Sequence, residues 1–418
     1  MVWAMRYLRA ICRFAVGIVF ILSGFLKAID PIGNSLKIDE YLGAFHLGFM
    51  DFISLPAGIL LAAAEFLIGA CILKGIKIRL FSLIALIFIS FFTLLTLYSA
   101  IFNPVQDCGC FGEAIHLSNW ETFFKNLVLL GCITVIYLQR DKFLPIATPR
   151  WKYIYIGGYS TFILGISIYA LMFLPQMDFG IFKSGTNLVS SALAQPEHEY
   201  ETVFIYTKDG KEQIFTLDNL PDSTWSYVST DTKLISASSY TQGNAELILR
   251  NRDRIYVTDE ILGSDKPVFM LSVYKNKKVT GREIGKIMAI RDSVLSAGAV
   301  FYILSGISPE ELDGVFASTA MQEFLIYETL YTDYKSVLSL NRSNLGLTYI
   351  NNGTVVSKWS KSGSPSEFSK LLDEDPEVVS ANITIKEHLF AEITLLFILF
   401  LVAIIRFISR RIYNKKTL

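Results

Sequence analysis

The chain has 418 residues, of which 52% are apolar and 18% charged, where an ordinary soluble domain carries about 25% charge. Its 38 basic and 38 acidic side chains cancel, which excludes a chain built around electrostatic capture of nucleic acid. The last of the five cysteines is at position 132, so the remainder is neither a disulfide-stapled scaffold nor a cysteine-ligated metal domain.

A helix needs about 20 mostly apolar residues to cross a bilayer. In chain order, such runs predict spans over Leu8–Ala28, Phe52–Leu73, Leu80–Phe102, Trp120–Leu138 and Tyr153–Leu174, with a sixth over Leu389–Ile408. The first run is long for a signal peptide and is closely followed by others, so it reads as retained. Lys and Arg concentrate in alternate loops: Arg6, Arg9 and Arg13; Lys74, Lys77 and Arg79; Arg140, Lys142, Arg150 and Lys152; Arg410, Arg411, Lys415 and Lys416. The other loops carry Asp30, Asp39, Glu40, Asp51, Asp107 and Glu113. By the positive-inside rule both termini are expected in the cytoplasm of a bacterial inner-membrane protein, and residues 105–118 and 176–387 outside, in the periplasm.

The outer segment is polar and lacks cysteine. Glu201–Tyr206 and Gln213–Leu217 flank Lys208-Asp209-Gly210, a hairpin signal. From Thr258 strands and helices alternate. Strands are expected over Pro267–Tyr274, Ala299–Leu304 and Glu323–Glu328, and helices over Gly281–Ala297, Pro309–Ala317 (capped by Ser308) and Asp333–Leu340. A hairpin around Asn351-Asn352-Gly353 and a last helix over Ser366–Leu372 follow. The expected organisation is a mainly α membrane protein with an outer α/β domain: a four-helix bundle over 1–140, a fifth span in 150–176, a β-rich segment over 198–256, the α/β domain over 257–375 and a sixth span in 388–408. Whether 180–256 is a separate β module or extends the α/β sheet stays open.

Arg13-Phe14-Ala15-Val16-Gly17, Ser23-Gly24-Phe25-Leu26-Lys27, Asp30-Pro31, Glu65 and Asp107-Cys108-Gly109-Cys110-Phe111-Gly112 resemble the DoxX/MauE-like family of four-helix membrane proteins. The last run points to its MauE branch. That resemblance implies periplasmic maturation or disulfide chemistry alongside a thioredoxin-like partner. The element order over 257–375 is similar to the thioredoxin-like fold. Two departures matter: Lys275-Asn276-Lys277-Lys278 stands where a thioredoxin carries Cys-x-x-Cys, and Leu345 where a proline precedes the next-to-last strand.

The Cys108–Cys110 pair is the sharpest chemical feature. Thiols one residue apart close a small strained disulfide, which tends to oxidise others. Gly109 permits the tight backbone, and the helix start that follows can lower a thiol pKa while Asp107 opposes it. The alternatives are a static disulfide, two small apolar fillers, or metal thiolates with His116. Cys12, Cys71 and Cys132 read as apolar filler. Glu65 falls mid-span, where a charge costs about 2.5–3.5 kcal/mol unless paired or protonated; it reads as a proton carrier or quinone partner, or as a protonated carboxyl bonded to a hydroxyl. Lys27 is expected to snorkel to the interface, with Asp107 or Glu65 as alternative partners. His46, His116, His198 and His388 show no metal-ligand spacing.

The functional expectation is a membrane component of a thiol–disulfide or maturation pathway, with Cys108, Cys110, Glu65 and Asp107 as catalytic candidates. No cofactor is required, although a quinone is the candidate electron acceptor; the partners are the bilayer and an outer client or thioredoxin-like protein. Two rivals stand: a non-enzymatic assembly factor whose disulfide is structural, and a quinone-linked oxidoreductase subunit.

Overall fold

The computed structural model describes residues 2–105, 107–143, 149–188, 200–208, 211–216, 221, 225–234, 247–316, 328–365, 367–390 and 392–393. Its first half is helical: α1 (Val2–Ile29), α2 (Pro31–Ala44), α3 (Ser54–Lys74), α4 (Ile78–Phe102), α5 (Asn119–Leu138) and α6 (Pro149–Met172). Among the described residues, five helical segments are long and apolar enough to cross a membrane: Met5–Ile29, Gly48–Lys74, Ile78–Phe102, Asn119–Leu138 and Trp151–Met172. The chain is a multi-pass membrane protein. The sixth expected span falls almost entirely outside the described residues.

Close approach of α1 and α3 sets the bundle. A Cβ on Gly24 would lie 2.5 Å from the Ala62 carbonyl oxygen and 2.5 Å from the Phe66 nitrogen, so only glycine admits the α3 backbone there. The α1, α4 and α5 faces close over Val16, Phe20, Ile89, Leu129 and Ile133. Helix α6 packs outside α3, with Tyr159 and Phe162 against Phe66 at 6.3 and 5.8 Å.

Helix α2 is an element the apolar pattern did not announce. Asp30 caps it by accepting from the Gly33 N–H at 2.9 Å, and Pro31 occupies its first turn, both ordinary start signals. At 14 residues it is about 21 Å long, too short to cross. It lies against α3, where Asn34 Nδ2 donates to the Gly58 carbonyl at 2.9 Å.

The α/β domain contains α7 (Thr258–Leu262), β5 (Val268–Val273), α8 (Gly281–Ser296), β6 (Val300–Ser305), α9 (Pro309–Val315), β7 (Thr329–Tyr331), α10 (Tyr334–Leu340), β8 (Gly346–Asn351), β9 (Thr354–Trp359) and α11 (Phe368–Asp373). The sheet order is β7-β6-β5-β8-β9. Strands β5, β6 and β7 run parallel, and β8 and β9 form an antiparallel hairpin beside β5. Central β5 is buried at all six positions, as befits a strand covered on both faces. Its Phe269 stacks on Tyr349 at 4.8 Å and meets Phe368 edge-on. Capping boxes start α8 (Thr280 with Glu283) and α9 (Ser308 with Glu311). Residues 317–327, which carry most of the strand expected at 323–328, lie outside the described residues; the neighbouring strand is β7. A further helix runs over 376–390.

Residues 187–247 form a compact unit of their own. It holds β2 (Tyr200–Lys208), β3 (Lys211–Thr216) and β4 (Ser226–Leu234) in an antiparallel sheet of order β3-β2-β4. Strands β2–β4 thus make a sheet of their own, whereas residues at both ends of 180–256 join the α/β sheet: Gly185 and Thr186 bond to Val355 of β9, and Arg250 to Tyr331 of β7. Strand β4 was not expected, and the turn residues Asp209 and Gly210 lie outside the described residues.

Candidate functional site

The α1–α3 contact aligns three polar side chains. Ser23 and Lys27 lie one turn apart on α1 and face Glu65 on α3. Lys27 Nζ sits 2.6 and 2.8 Å from the two Glu65 carboxylate oxygens, and 3.2 Å from Ser23 Oγ. Lys27 and Glu65 are 4% and 5% exposed. The snorkelling expectation for Lys27 is therefore corrected: its amine turns inward, because a carboxylate one helix away outcompetes the interface in an apolar medium. Ser23 Oγ lies 2.6 Å from Glu65 Oε2 and 2.5 Å from the Cys110 carbonyl oxygen. The buried ion pair thus touches the cysteine loop.

That loop joins α4 to α5 and includes β1 (Cys110–Glu113). Asn119 Nδ2 closes its base by donating to Asn103 Oδ1 at 2.9 Å and to the Val105 carbonyl at 2.8 Å. Gly109 has φ +59°, and a Cβ there would meet Lys37 Cγ at 2.9 Å, so the left-handed turn and the packing both demand glycine. The two sulfurs are brought to 3.2 Å, with Cys108 Sγ 3.0 Å from Thr122 Oγ1 in the first turns of α5. The adjacent Cys110 thiol lowers the Cys108 pKa to about 6 against the effect of burial, helped by Thr122, the Cys110 backbone and Lys125. Cys110 moves the other way: the neighbouring Cys108 sulfur and burial push its thiol well up. One sulfur is poised as thiolate and the other as thiol.

Asp107 does not face the sulfurs alone. Lys37 Nζ is 2.6 Å from Oδ1 and His116 Nδ1 is 2.7 Å from Oδ2. Burial alone would raise the Asp107 carboxyl, but Lys37 and then His116 hold it below its ordinary value. Its expected opposition to a thiolate is thereby neutralised.

Beyond this shell, Arg342 reaches in from the turn after α10. Its guanidinium lies 3.0 Å from Asp30 Oδ2 and 2.5 Å from Glu113 Oε2, and donates to the Leu338 carbonyl at 3.1 Å. The loops after α1 and α4 therefore lie at the bundle end that carries the α/β domain. Lys358 on β9 pairs with Asp178 after α6 at 2.6 Å. Lys275–Lys278 follow β5, and Leu345, with φ +61°, precedes β8.

A cavity of about 230 Å³ opens beside the pair, walled by Phe20, Phe88, Phe92 and Leu129. Cys108, Cys110, Lys27, Glu65, Lys125 and Asn126 line it as well. The structure brings Cys108, Cys110 and Glu65 to the lining of one cavity, while Asp107 pairs with Lys37 and His116.

Residues 5–139 match the family model of the methylamine utilisation protein MauE. The match bears out the MauE resemblance expected over 1–140. Residues 200–237 match a domain family of unknown function, DUF8463. A protein of Flavobacterium psychrophilum, Protein TlpB, is 23% identical over 190 residues, covering 44% of this chain and 50% of that protein. The chain thus spans about half the length of this curated relative. No solved structure matches the chain.

Within the MauE-like bundle several site residues escaped the sequence reading. Lys125 had a usable signal, since a lysine one and a half turns into an apolar span is as conspicuous as Glu65. Ser23 had none beyond its motif, and neither Lys37 nor Arg342 is distinguishable from a surface cation before the fold is known. Of the remaining cysteines, Cys12 and Cys71 are buried. Cys12 has Cys132 as a thiol neighbour within the α1–α5 core, consistent with filler.

Proposed function

We propose that this protein is the membrane component of an extracytoplasmic thiol–disulfide or protein-maturation pathway, with Cys108 and Cys110 as its exchanging pair. The observation that carries the reading is the sulfur pair itself: two thiols 3.2 Å apart with oppositely displaced pKa values. Oppositely tuned neighbours are how one site supplies both a leaving group and a proton-holding group. The basic loops at the other bundle end support an outward-facing pair.

In the oxidising direction, a client thiolate attacks Cys110 Sγ of the Cys108–Cys110 disulfide. The sulfur–sulfur bond breaks and its electron pair stays on Cys108, the better leaving group because its thiolate is stabilised. The client's second thiolate then attacks the client sulfur of the mixed disulfide. This forms the client disulfide and releases Cys110, which takes up a proton. Two electrons pass from client to pair. Ser23 holds the Cys110 carbonyl, and Lys27 and Glu65 hold Ser23, so the three act as positioning residues. The α/β domain, thioredoxin-like without the thiols, serves as the docking surface for the client.

Trapping tests this reading. In full-length protein in cells, Cys108→Ser is expected to accumulate a mixed disulfide through Cys110, and Cys110→Ser far less. A wild-type pair that stays locked as a disulfide and resists mild thiols, with no adduct in either variant, would sink the proposal. That outcome would favour the assembly-factor reading, to which the Arg342 clamp also lends itself.

A further inference from the structure

The exchange leaves the pair reduced, so turnover needs an oxidant that takes two electrons, and the cavity beside the sulfurs describes its chemistry. The walls are aromatic and aliphatic, while both thiols, Lys27, Lys125 and Asn126 gather along the lining. Its mouth is apolar too: Phe45 at the end of α2 and Phe91 on α4 line the cavity, yet are 40% and 61% exposed. Phe91 lies in the middle of a membrane-spanning helix, so this opening faces lipid rather than water. A volume of about 230 Å³ exceeds the roughly 150 Å³ that holds one benzene ring in a dry protein cavity.

We infer that the cavity takes the head group of a lipid-soluble quinone, which enters between α2 and α4 and reoxidises the Cys108–Cys110 pair. The inference rests on the reading of that pair as redox-active. Phosphate-bearing nicotinamide or flavin acceptors are excluded by an apolar, lipid-facing mouth. A quinone is apolar, accepts two electrons and two protons, and offers carbonyl oxygens to the Lys125 ammonium and Asn126 amide on the lining. The step balances: the Cys108 thiolate and the Cys110 thiol form one sulfur–sulfur bond, Cys110 loses its proton, and two electrons pass to the quinone. That proton and one from the medium complete the quinol. Lys125, a cation that lowers both thiols, also favours negative charge developing on the ring oxygen.

The test uses the full chain in lipid nanodiscs, reduced with dithiothreitol, freed of reductant and kept anaerobic. Ubiquinone-1 and menadione serve as probes. Quinol is read by absorbance, and the pair by differential alkylation and mass spectrometry. One quinol per chain is expected, in step with loss of the two alkylable thiols. Leu95→Trp, which fills the cavity, is expected to slow quinol formation at least about tenfold more than it slows dithiothreitol reduction of the oxidised pair. A photoreactive azidoquinone on wild-type protein provides a second readout, with label expected in 41–45 and 88–96. A pair that exchanges with dithiothreitol yet forms no quinol overturns the inference and leaves the proposed function standing, as does label found only elsewhere. Equal slowing of both rates by Leu95→Trp also counts against it. A pair inert to both reagents overturns the proposed function and this inference together.

Discussion

A cysteine thiolate near neutral pH is a measurable quantity, and its neighbours say what should move it. Cys108 titrates at about 6 rather than at 9.0, chiefly because of Cys110. Its alkylation by iodoacetamide in reduced protein should therefore be half-maximal near pH 6, level off at higher pH and fall as pH drops below 6. Because the folded value is depressed, the associated stability is present above 9.0 and is lost progressively as pH falls through 6. Cys110→Ala should carry the reactivity midpoint up toward 9.0, read from the pH–rate profile; a midpoint left near 6 would assign the shift to Thr122 and Lys125 instead. The Lys27–Glu65 pair makes a second case. Lys27→Met leaves a buried carboxylate without its cation, an expected loss of about 3–5 kcal/mol, whereas Lys27→Met with Glu65→Leu should lose much less, as thermal unfolding in nanodiscs would show. Glu65 was legible in the sequence because a mid-span charge is expensive wherever it sits. Its partner was not, because a lysine near a helix end has the interface within reach, and only the α1–α3 contact makes the inward turn the shorter path.

That contact belongs to the helices. At Gly24 an added Cβ meets backbone on α3 at 2.5 Å, which no side-chain rearrangement relieves. Gly24→Val is expected to push α1 from α3, cost more than about 1–3 kcal/mol, and separate Ser23 from Glu65. Thermal stability and faster alkylation of Cys110 would report it together. The spans were readable from their length and apolarity, α8 from its helical periodicity and α9 from the Ser308 cap. Helix α2 was hidden because its buried face, Gly33, Asn34, Ser35 and Leu36, is small and polar; it packs through hydrogen bonds such as Asn34 to Gly58 rather than through an apolar stripe. Strand β4 was missed for a related reason: Ser229, Thr230, Asp231, Thr232 and Lys233 have no alternating apolar face to reveal a strand.

At the scale of the molecule, the bundle and the α/β domain are held by cations from one and carboxylates from the other. Arg342 is the centre of this arrangement, and Asp30 and Glu113 keep it charged despite its burial. Arg342→Gln is expected to raise hydrogen exchange in 338–346 and 110–113 together while the transmembrane helices keep their protection. Protection unchanged in 110–113 would mean that the cysteine loop is held without the α/β domain. Nothing in the sequence announced this clamp. Its members are 312 and 229 residues apart, each is ordinary for its local setting, and Asp30 already has a sufficient local role as the cap of α2.

The same separation gives the clamp a meaning in time. A ribosome makes Asp30 first and Glu113 next, and Arg342 only after another 229 residues. During that interval the nascent bundle displays two carboxylates with no guanidinium between them, and the cysteine loop lacks the brace that Arg342 gives it through Glu113. Completion of the α/β sheet delivers the missing cation and finishes that end of the bundle in one event. A chain whose α/β domain fails to fold keeps that acidic pair bare beside the cysteine loop, a signature by which an unfinished molecule differs chemically from a finished one.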